Sequence, residues 1–131
     1  MPGRGRSIRR SRGTEPMDGL PSSFLLGVEL FNRGEYFDCH EALEPLWLRA
    51  EGTDREFLHA LIQAAVALHH HRLGNLKGAS SVFNRAKRRL EGLPPQMMGV
   101  NTVDLIRELD AYFTAASDGA SPSPLVIRIE R

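Results

Sequence analysis

The sequence predicts an all-α protein, a compact bundle of about five antiparallel helices. Apolar residues recur at helical spacing in five successive segments, and glycine, proline or a capping residue separates each segment from the next. Only in residues 125–131 do apolar side chains occur at every second position, as in an extended strand. We therefore expect a disordered leader over residues 1–17, the helical bundle over 18–117, and a linker with an extended arm over 118–131.

Length and composition limit the class of protein. The chain has 131 residues, 41% apolar and 25% charged, which indicates one domain with a core large enough to need no disulfide. Its one cysteine, Cys39, excludes an internal disulfide and is expected to be a small buried hydrophobe. A single cysteine that cannot form an internal disulfide fits a cytoplasmic protein. No apolar run reaches the ~20 residues of a membrane helix, so we expect no membrane partner.

The leader is strongly basic. Residues 1–15 carry five arginines against one glutamate, whereas the rest of the chain carries 12 basic and 15 acidic residues. Ile8 is the one apolar side chain between Pro2 and Pro16, so this segment cannot bury enough surface to fold. We expect this basic segment to be a solvated tail, and contact with nucleic acid or acidic lipid is the alternative. Met17, directly before the globular pattern, is a second candidate for the true start.

The first two helices are bounded by turn residues. Residues 21–23 begin the first helix, and Gly34 ends it as the C′ residue. The second helix is predicted from about Glu35 to Arg49, with Pro45 inside it. Its inward stripe is expected to include Trp47 as a core anchor.

Capping signals mark the remaining helices. Thr53 and Glu56 form a capping-box pattern that predicts the start of the third helix, which ends at Gly74. Asn75 is the expected N-cap of the fourth helix, and Asn101 or Thr102 that of the fifth. In the tail, alternate residues lie on one side of an extended arm that packs along a helix: Leu125, Ile127 and Ile129.

The second helix carries a dense polar cluster within its apolar pattern. His40 and Glu44 are four residues apart and share one helix face, which Trp47 continues, whereas Glu41 points toward the flank. A histidine and a carboxylate one turn apart suit metal ligation, or a general base with the group that orients it. The same spacing also suits a plain surface ion pair.

The third helix supplies a second set of polar side chains. Gln63 and His70 fall on one face, and His59 lies one turn before Gln63. If the second and third helices pair antiparallel, Gln63 and His70 face His40 and Glu44. Three interpretations stay open for that cluster: a buried polar network that fixes the helix pair, a bound metal, or a catalytic or small-ligand site.

Two separated motifs resemble the domain of unknown function 309 family. The first runs from Phe31 to Glu44 with Trp47 after it, and the second runs from Leu61 through His70 to Ala79. The resemblance spans about residues 24–93, and Pro45 departs from it by standing where an ordinary helix former is expected. It implies a small helical fold and a set of candidate pocket positions, which are His40, Glu41, Glu44, Trp47, Gln63, His70 and Asn75.

Two classes of function follow from these residues. The first is a binding or interaction module with a polar pocket between the second and third helices. Its partner is a small ligand, another protein or a second copy of the chain. The alternative is a metal-dependent enzyme of hydrolase or oxygenase type, with His40, Glu44 and His70 as ligands and Glu41 as base. Two histidines and one carboxylate suit a divalent metal such as Fe(II) or Zn(II) with open positions.

Overall fold

A computed structural model describes residues 19–130 and confirms the all-α class. The predicted leader lies outside the described residues. The structure contains these elements in chain order: α1 Ser22–Asn32, α2 Tyr36–Arg49, α3 Gly52–Arg72, α4 Leu76–Glu91, β1 Gln96–Met97, β2 Val100–Asn101 and α5 Thr102–Ser117.

The longest helix, α3, lies at the centre of the bundle. It packs against α2 on one side and α4 on the other, while α1 packs on α2 and α5 packs on α4. Alanines on α3 allow the close approach of its neighbours, since Ala60, Ala64 and Ala67 are fully buried. The largest core side chains come from α1 and α3 and include Phe24, Phe31 and Phe57.

Most predicted helix ends are confirmed. Gly34 follows the C-cap of α1 with φ +81, a conformation that glycine adopts at little cost. Asn75 caps α4 by accepting a 3.0 Å hydrogen bond from the Gly78 amide, and Asn101 caps α5 by accepting one of 2.9 Å from the Asp104 amide. α2 continues through Pro45 without interruption.

The predicted capping box at Thr53 is wrong. α3 begins at Gly52, so Thr53 already lies in the first turn, and Glu51 at the N-cap makes no side-chain capping bond. Gly52 has φ +62, which lets the chain turn directly from α2 into α3. Glu56 does not reach back to an amide, because its carboxylate instead accepts a hydrogen bond from Arg89 on α4.

A short hairpin between α4 and α5 escaped prediction. β1 and β2 pair antiparallel, with Met97 opposite Val100, and Met98 and Gly99 form the turn with φ values of 49 and 80. Positive φ at both central residues is typical of a two-residue hairpin turn, which usually contains asparagine or aspartate before the glycine. Methionine at that position gives no such signal.

The tail is extended and packs on the bundle. Leu125 and Ile127 are buried and Ile129 is partly buried, while the residues between them are exposed, as the alternation predicts. The Asn32 side chain holds the Ile127 backbone through two hydrogen bonds, of 2.9 Å to its carbonyl and 2.7 Å from its amide. The Glu130 amide donates to the Gly99 carbonyl at 2.7 Å, which ties the tail to the hairpin.

No helix within residues 19–130 is long and apolar enough to cross a membrane. The cytoplasmic location stays a prediction.

Candidate functional site

One stripe of α2 contains no fully buried residue. Phe37, His40, Glu44 and Trp47 are spaced by three, four and three residues, which places them on one side of the helix. The phenyl ring of Phe37 is 54% exposed, and it lies edge-on to the imidazole of His40 at 6.2 Å between ring centroids. Trp47 is partly buried and packs against the edge of the core. The prediction that it lies within the core is therefore wrong.

α2 and α3 form an antiparallel pair across a short connection, and this fixes which residues meet. The indole of Trp47 packs on the imidazole of His59 with 4.8 Å between centroids, and Phe37 packs near His69 at 6.1 Å. Both pairs are centred on Thr53, so residues equally far from Thr53 along the chain lie opposite each other. We refer to this surface as the α2–α3 face, which is formed by Phe37, His40, Glu44 and Trp47 of α2 with Arg55, His59 and His69 of α3.

Trp47 is enclosed by two side chains of α3. The guanidinium of Arg55 lies 4.8 Å from the centroid of the indole, and its Nη1 donates a 3.1 Å hydrogen bond to the Trp47 carbonyl. His59 packs on the same indole. The indole Nε1–H is buried and has no hydrogen-bond acceptor within residues 19–130. Buried donors are nearly always satisfied, so this one needs an explanation.

A cationic environment surrounds His59. Burial is the main cause that lowers its pKa, and the positive charges of Arg89 and Arg55 lower it further, while Glu56 opposes them. His59 is therefore favoured in its neutral form, in which one ring nitrogen donates and the other accepts.

Arg89 connects α4 to the exposed side of α3. Its Nε donates to Gln63 Oε1 at 3.0 Å, and its Nη1 donates to Glu56 Oε1 at 2.6 Å. The candidate residue Gln63 is thus bonded to α4 and not to His40 or Glu44. The Glu56 carboxylate that would balance Arg55 is already engaged by Arg89.

The other candidate residues form separate pairs. His40 Nε2 lies 3.7 Å from Glu44 Oε2, and their side chains are 31% and 50% exposed. His70 Nδ1 lies 3.3 Å from the Asn75 side-chain nitrogen. Glu41 is exposed. Within residues 19–130, no three His, Cys, Asp or Glu side chains are grouped so that they could hold a metal ion.

Helix register explains why His70 does not join His40. The Trp47–His59 and Phe37–His69 contacts place His40 opposite Val66, one turn before His70. His70 shares the face of α3 that carries Gln63, which is turned toward α4. An antiparallel pairing alone does not fix this rotation.

Two residues of the site, Arg55 and Arg89, were not singled out from the sequence. Arg55 lies one helical turn before His59, so the helix pairing that brings His59 to Trp47 could also have placed Arg55 beside the indole. Arg89 belongs to a basic cluster in the last turn of α4, where positive charges interact favourably with the helix dipole. That position gives no sign of a contact with α3.

Cys39 takes no part in the site. It is 1% exposed on the core side of α2, and burial raises the pKa of its thiol to about 12. The thiol is therefore protonated at neutral pH and serves as a small apolar group, as expected.

Comparisons with known proteins find a family and relatives of unknown activity. The sequence model of the family described as a domain of unknown function (DUF309) matches residues 24–82. The uncharacterised protein YpuF of Bacillus subtilis (strain 168) is 38% identical over 65 residues, which cover 49% of this chain and 37% of that protein. An uncharacterised protein of Aquifex aeolicus (strain VF5) is 26% identical over 93 residues, which cover 70% and 28%. The chain thus spans about a third of the length of these curated relatives.

A solved structure matches over more of its length. The crystal structure of a conserved hypothetical protein from Thermus thermophilus is 36% identical in sequence, with a TM-score of 0.64. The match covers 73% of this chain and 99% of that one. The similarity therefore extends across the whole of a separately folded relative.

Proposed function

This chain belongs to the DUF309 family, and we propose that it is a protein-binding module whose recognition surface is the α2–α3 face. The partner is a protein segment that offers a carboxylate to Trp47 and Arg55 and an apolar side chain to Phe37. One observation carries the proposal, namely the buried indole N–H of Trp47 that has no acceptor within residues 19–130. An unsatisfied buried donor costs ~1–3 kcal/mol, which an acceptor from a partner would offset.

The charges around Trp47 favour a negatively charged acceptor. The guanidinium of Arg55 lies against the indole and donates a hydrogen bond to the Trp47 carbonyl. Within the described part of the chain it forms no ion pair with a carboxylate. The carboxylate of the adjacent residue Glu56 is bound by Arg89. If the side chains that cover the indole N–H move aside, a carboxylate placed beside it gains one neutral donor from Trp47 and one charged donor from Arg55. Hydrogen bonds to ions are the stronger kind.

The far end of the α2–α3 face is apolar. Phe37 is 54% exposed and is flanked by the imidazoles of His40 and His69. Ten residues separate Phe37 from Trp47, which corresponds to ~15 Å along a helix. A partner segment that carries an apolar side chain and a carboxylate at that separation would contact both ends at once.

A labelled helical peptide tests this proposal. The probe places a leucine and a glutamate ~15 Å apart, and its matched control has glutamine in place of the glutamate. Fluorescence anisotropy should show saturable binding of the glutamate peptide to the full chain. Binding should weaken about tenfold or more with Trp47→Phe, which keeps an aromatic ring and removes the donor, and also with the glutamine peptide.

A control variant separates this effect from general charge. Arg107 is an exposed arginine of α5 that pairs with Asp104, far from the α2–α3 face along the chain. Arg107→Gln should leave peptide binding unchanged. Equal affinity of the wild type and Trp47→Phe for the glutamate peptide, with both folded by thermal melting, would contradict the proposal.

The metal-dependent enzyme with His40, Glu44 and His70 as ligands stays a prediction. Its test is the metal content of tag-free protein, compared with that of His40→Ala. Near-stoichiometric metal that is lost in the variant would support a metal centre, and it would move the function away from protein binding.

A further inference from the structure

A second cleft lies at the end of α2 that carries Tyr36, next in sequence to Phe37 of the α2–α3 face. It opens between the α1–α2 turn, the last turn of α3, α5 and the tail, and it has a volume of about 280 Å³. Its polar side chains are two tyrosines, two arginines and one asparagine, and no acidic residue lines it. A cleft with this composition has donors and positive charge to offer.

Tyr36 is the buried polar residue of this cleft. It is 6% exposed, and its ring lies edge-on to Phe31 with 5.5 Å between centroids. Its hydroxyl group makes no hydrogen bond within residues 19–130 and is not itself a fully buried atom, so it is open to a partner that enters the cleft. Burial is the main cause that raises the pKa of Tyr36, and nearby Tyr112 raises it further. The hydroxyl is therefore protonated at neutral pH and can donate.

Arg72 is fixed beside Tyr36. Its guanidinium lies 4.8 Å from the centroid of the Tyr36 ring, and its Nη1 donates to the Gly34 carbonyl at 2.6 Å. A Cβ at Gly34 would lie 2.8 Å from Arg72 Nη2, so a larger residue there would displace the guanidinium from its present position. Arg72 has no carboxylate partner within the described residues, whereas Arg33, the other arginine of the cleft, pairs with Glu29. Arg72 is thus the cation that the cleft leaves uncompensated.

Tyr112 forms the opposite wall of the cleft. Its hydroxyl lies 2.9 Å from Nδ1 of His71, which orients the phenol from the end of α3. Tyr112 lines the cleft together with Tyr36 and Arg72. Three elements of the bundle therefore place two phenols and a guanidinium around one small space.

We propose that this cleft binds a small molecule with an oxyanion group, a phosphate or a carboxylate, held by Arg72 and the hydroxyl of Tyr36. The anion would neutralise Arg72 and accept the hydrogen bond that Tyr36 does not make within the described residues. Phosphate and carboxylate share this chemistry, since both present acceptor oxygens that a guanidinium binds. No residue that lines the cleft belongs to the α2–α3 face, so the test of this site does not depend on the protein-binding proposal.

Isothermal titration of the full, tag-free chain tests the site with two probes, inorganic phosphate and benzoate, at constant ionic strength. We expect saturable binding of at least one probe with a Kd below about 10 mM. Tyr36→Phe keeps the ring and removes the hydroxyl, and it should weaken that binding about tenfold. Arg72→Gln should abolish it, whereas Arg107→Gln, at an exposed arginine outside the cleft, should leave it unchanged.

The two probes also identify the source of the oxyanion. Tighter binding of phosphate assigns the site to a phosphorylated ligand, and tighter binding of benzoate assigns it to a carboxylate with an aromatic or apolar body. The absence of saturable binding of either probe would overturn the proposal. Equal affinity of the wild type and folded Tyr36→Phe or Arg72→Gln would overturn it as well.

Discussion

At the scale of single residues, Trp47 has two environments. Its ring packs against the core and is covered by Arg55 and His59, while its buried Nε1–H has no acceptor within residues 19–130. The apolar body and the polar edge of an indole make such a division common at binding surfaces. The helical pattern indicates an inward ring, but it contains no information about the indole N–H.

The pH dependence of stability should report on His59. The pKa of His59 is lower in the folded protein than its ordinary value of 6.5. Just below pH 6.5, His59 therefore binds a proton more strongly in the unfolded chain than in the folded one. Stability is therefore full above that value and decreases as the pH falls toward the lowered pKa. Denaturant unfolding at a series of pH values should show this loss in the wild type and a smaller one in His59→Gln. Identical pH profiles would contradict the assigned environment of His59.

At the scale of elements, helix ends differ in how well short motifs predict them. Asn75 and Asn101 cap α4 and α5 as predicted, because an asparagine followed by an apolar helical stripe leaves few alternatives. The Thr53–Glu56 pattern fails because the chain enters α3 at Gly52, and because Arg89 of α4 takes the carboxylate of Glu56. A competing tertiary contact cannot be read from four consecutive residues.

Matched substitutions test the two outcomes. Asn75→Ala should lower the free energy of unfolding by ~0.5–2 kcal/mol, since it removes the acceptor of the Gly78 amide. Thr53→Ala should change it by less than ~0.5 kcal/mol, as for an exposed residue without a specific contact. Urea unfolding of both variants measures the difference. An equal loss of unfolding free energy in Thr53→Ala and Asn75→Ala would contradict this account and support a capping box at Thr53.

At the scale of the whole molecule, the tail closes the bundle. Leu125 and Ile127 are 4% exposed, and the Asn32 side chain pairs with the Ile127 backbone as a neighbouring strand would. The alternation of apolar residues predicts the buried side of the tail. It does not predict the partner, because Asn32 lies 95 positions earlier in the chain.

Removal of this pairing should destabilise the fold. Asn32→Ala leaves the amide and carbonyl of Ile127 without their partner, and a stranded part-buried polar group costs ~1–3 kcal/mol. Asn84→Ala, at an exposed asparagine of α4, is the matched control and should cost less than ~0.5 kcal/mol. Thermal unfolding compares the two variants, and equal melting temperatures would show that the tail is not held at Ile127.

The candidate site was predictable only within each helix. Spacing along α2 places His40, Glu44 and Trp47 on one side, and the structure pairs His40 with Glu44. The association of α2 with α3 also follows from the short connection. The rotation of α3 does not, and it turns Gln63 toward Arg89 of α4. Rotation depends on how all the helices fill the core together, which no local pattern specifies.

The indole N–H of Trp47 provides the most direct test of the protein-binding proposal. The chain contains one tryptophan, so a ¹H–¹⁵N spectrum shows a single indole cross-peak that needs no further assignment. The leucine–glutamate peptide should shift this cross-peak downfield in a saturable manner, and the glutamine peptide should shift it less. A cross-peak that stays in place while the glutamate peptide binds would falsify the assignment of Trp47 as the donor that recognises the partner.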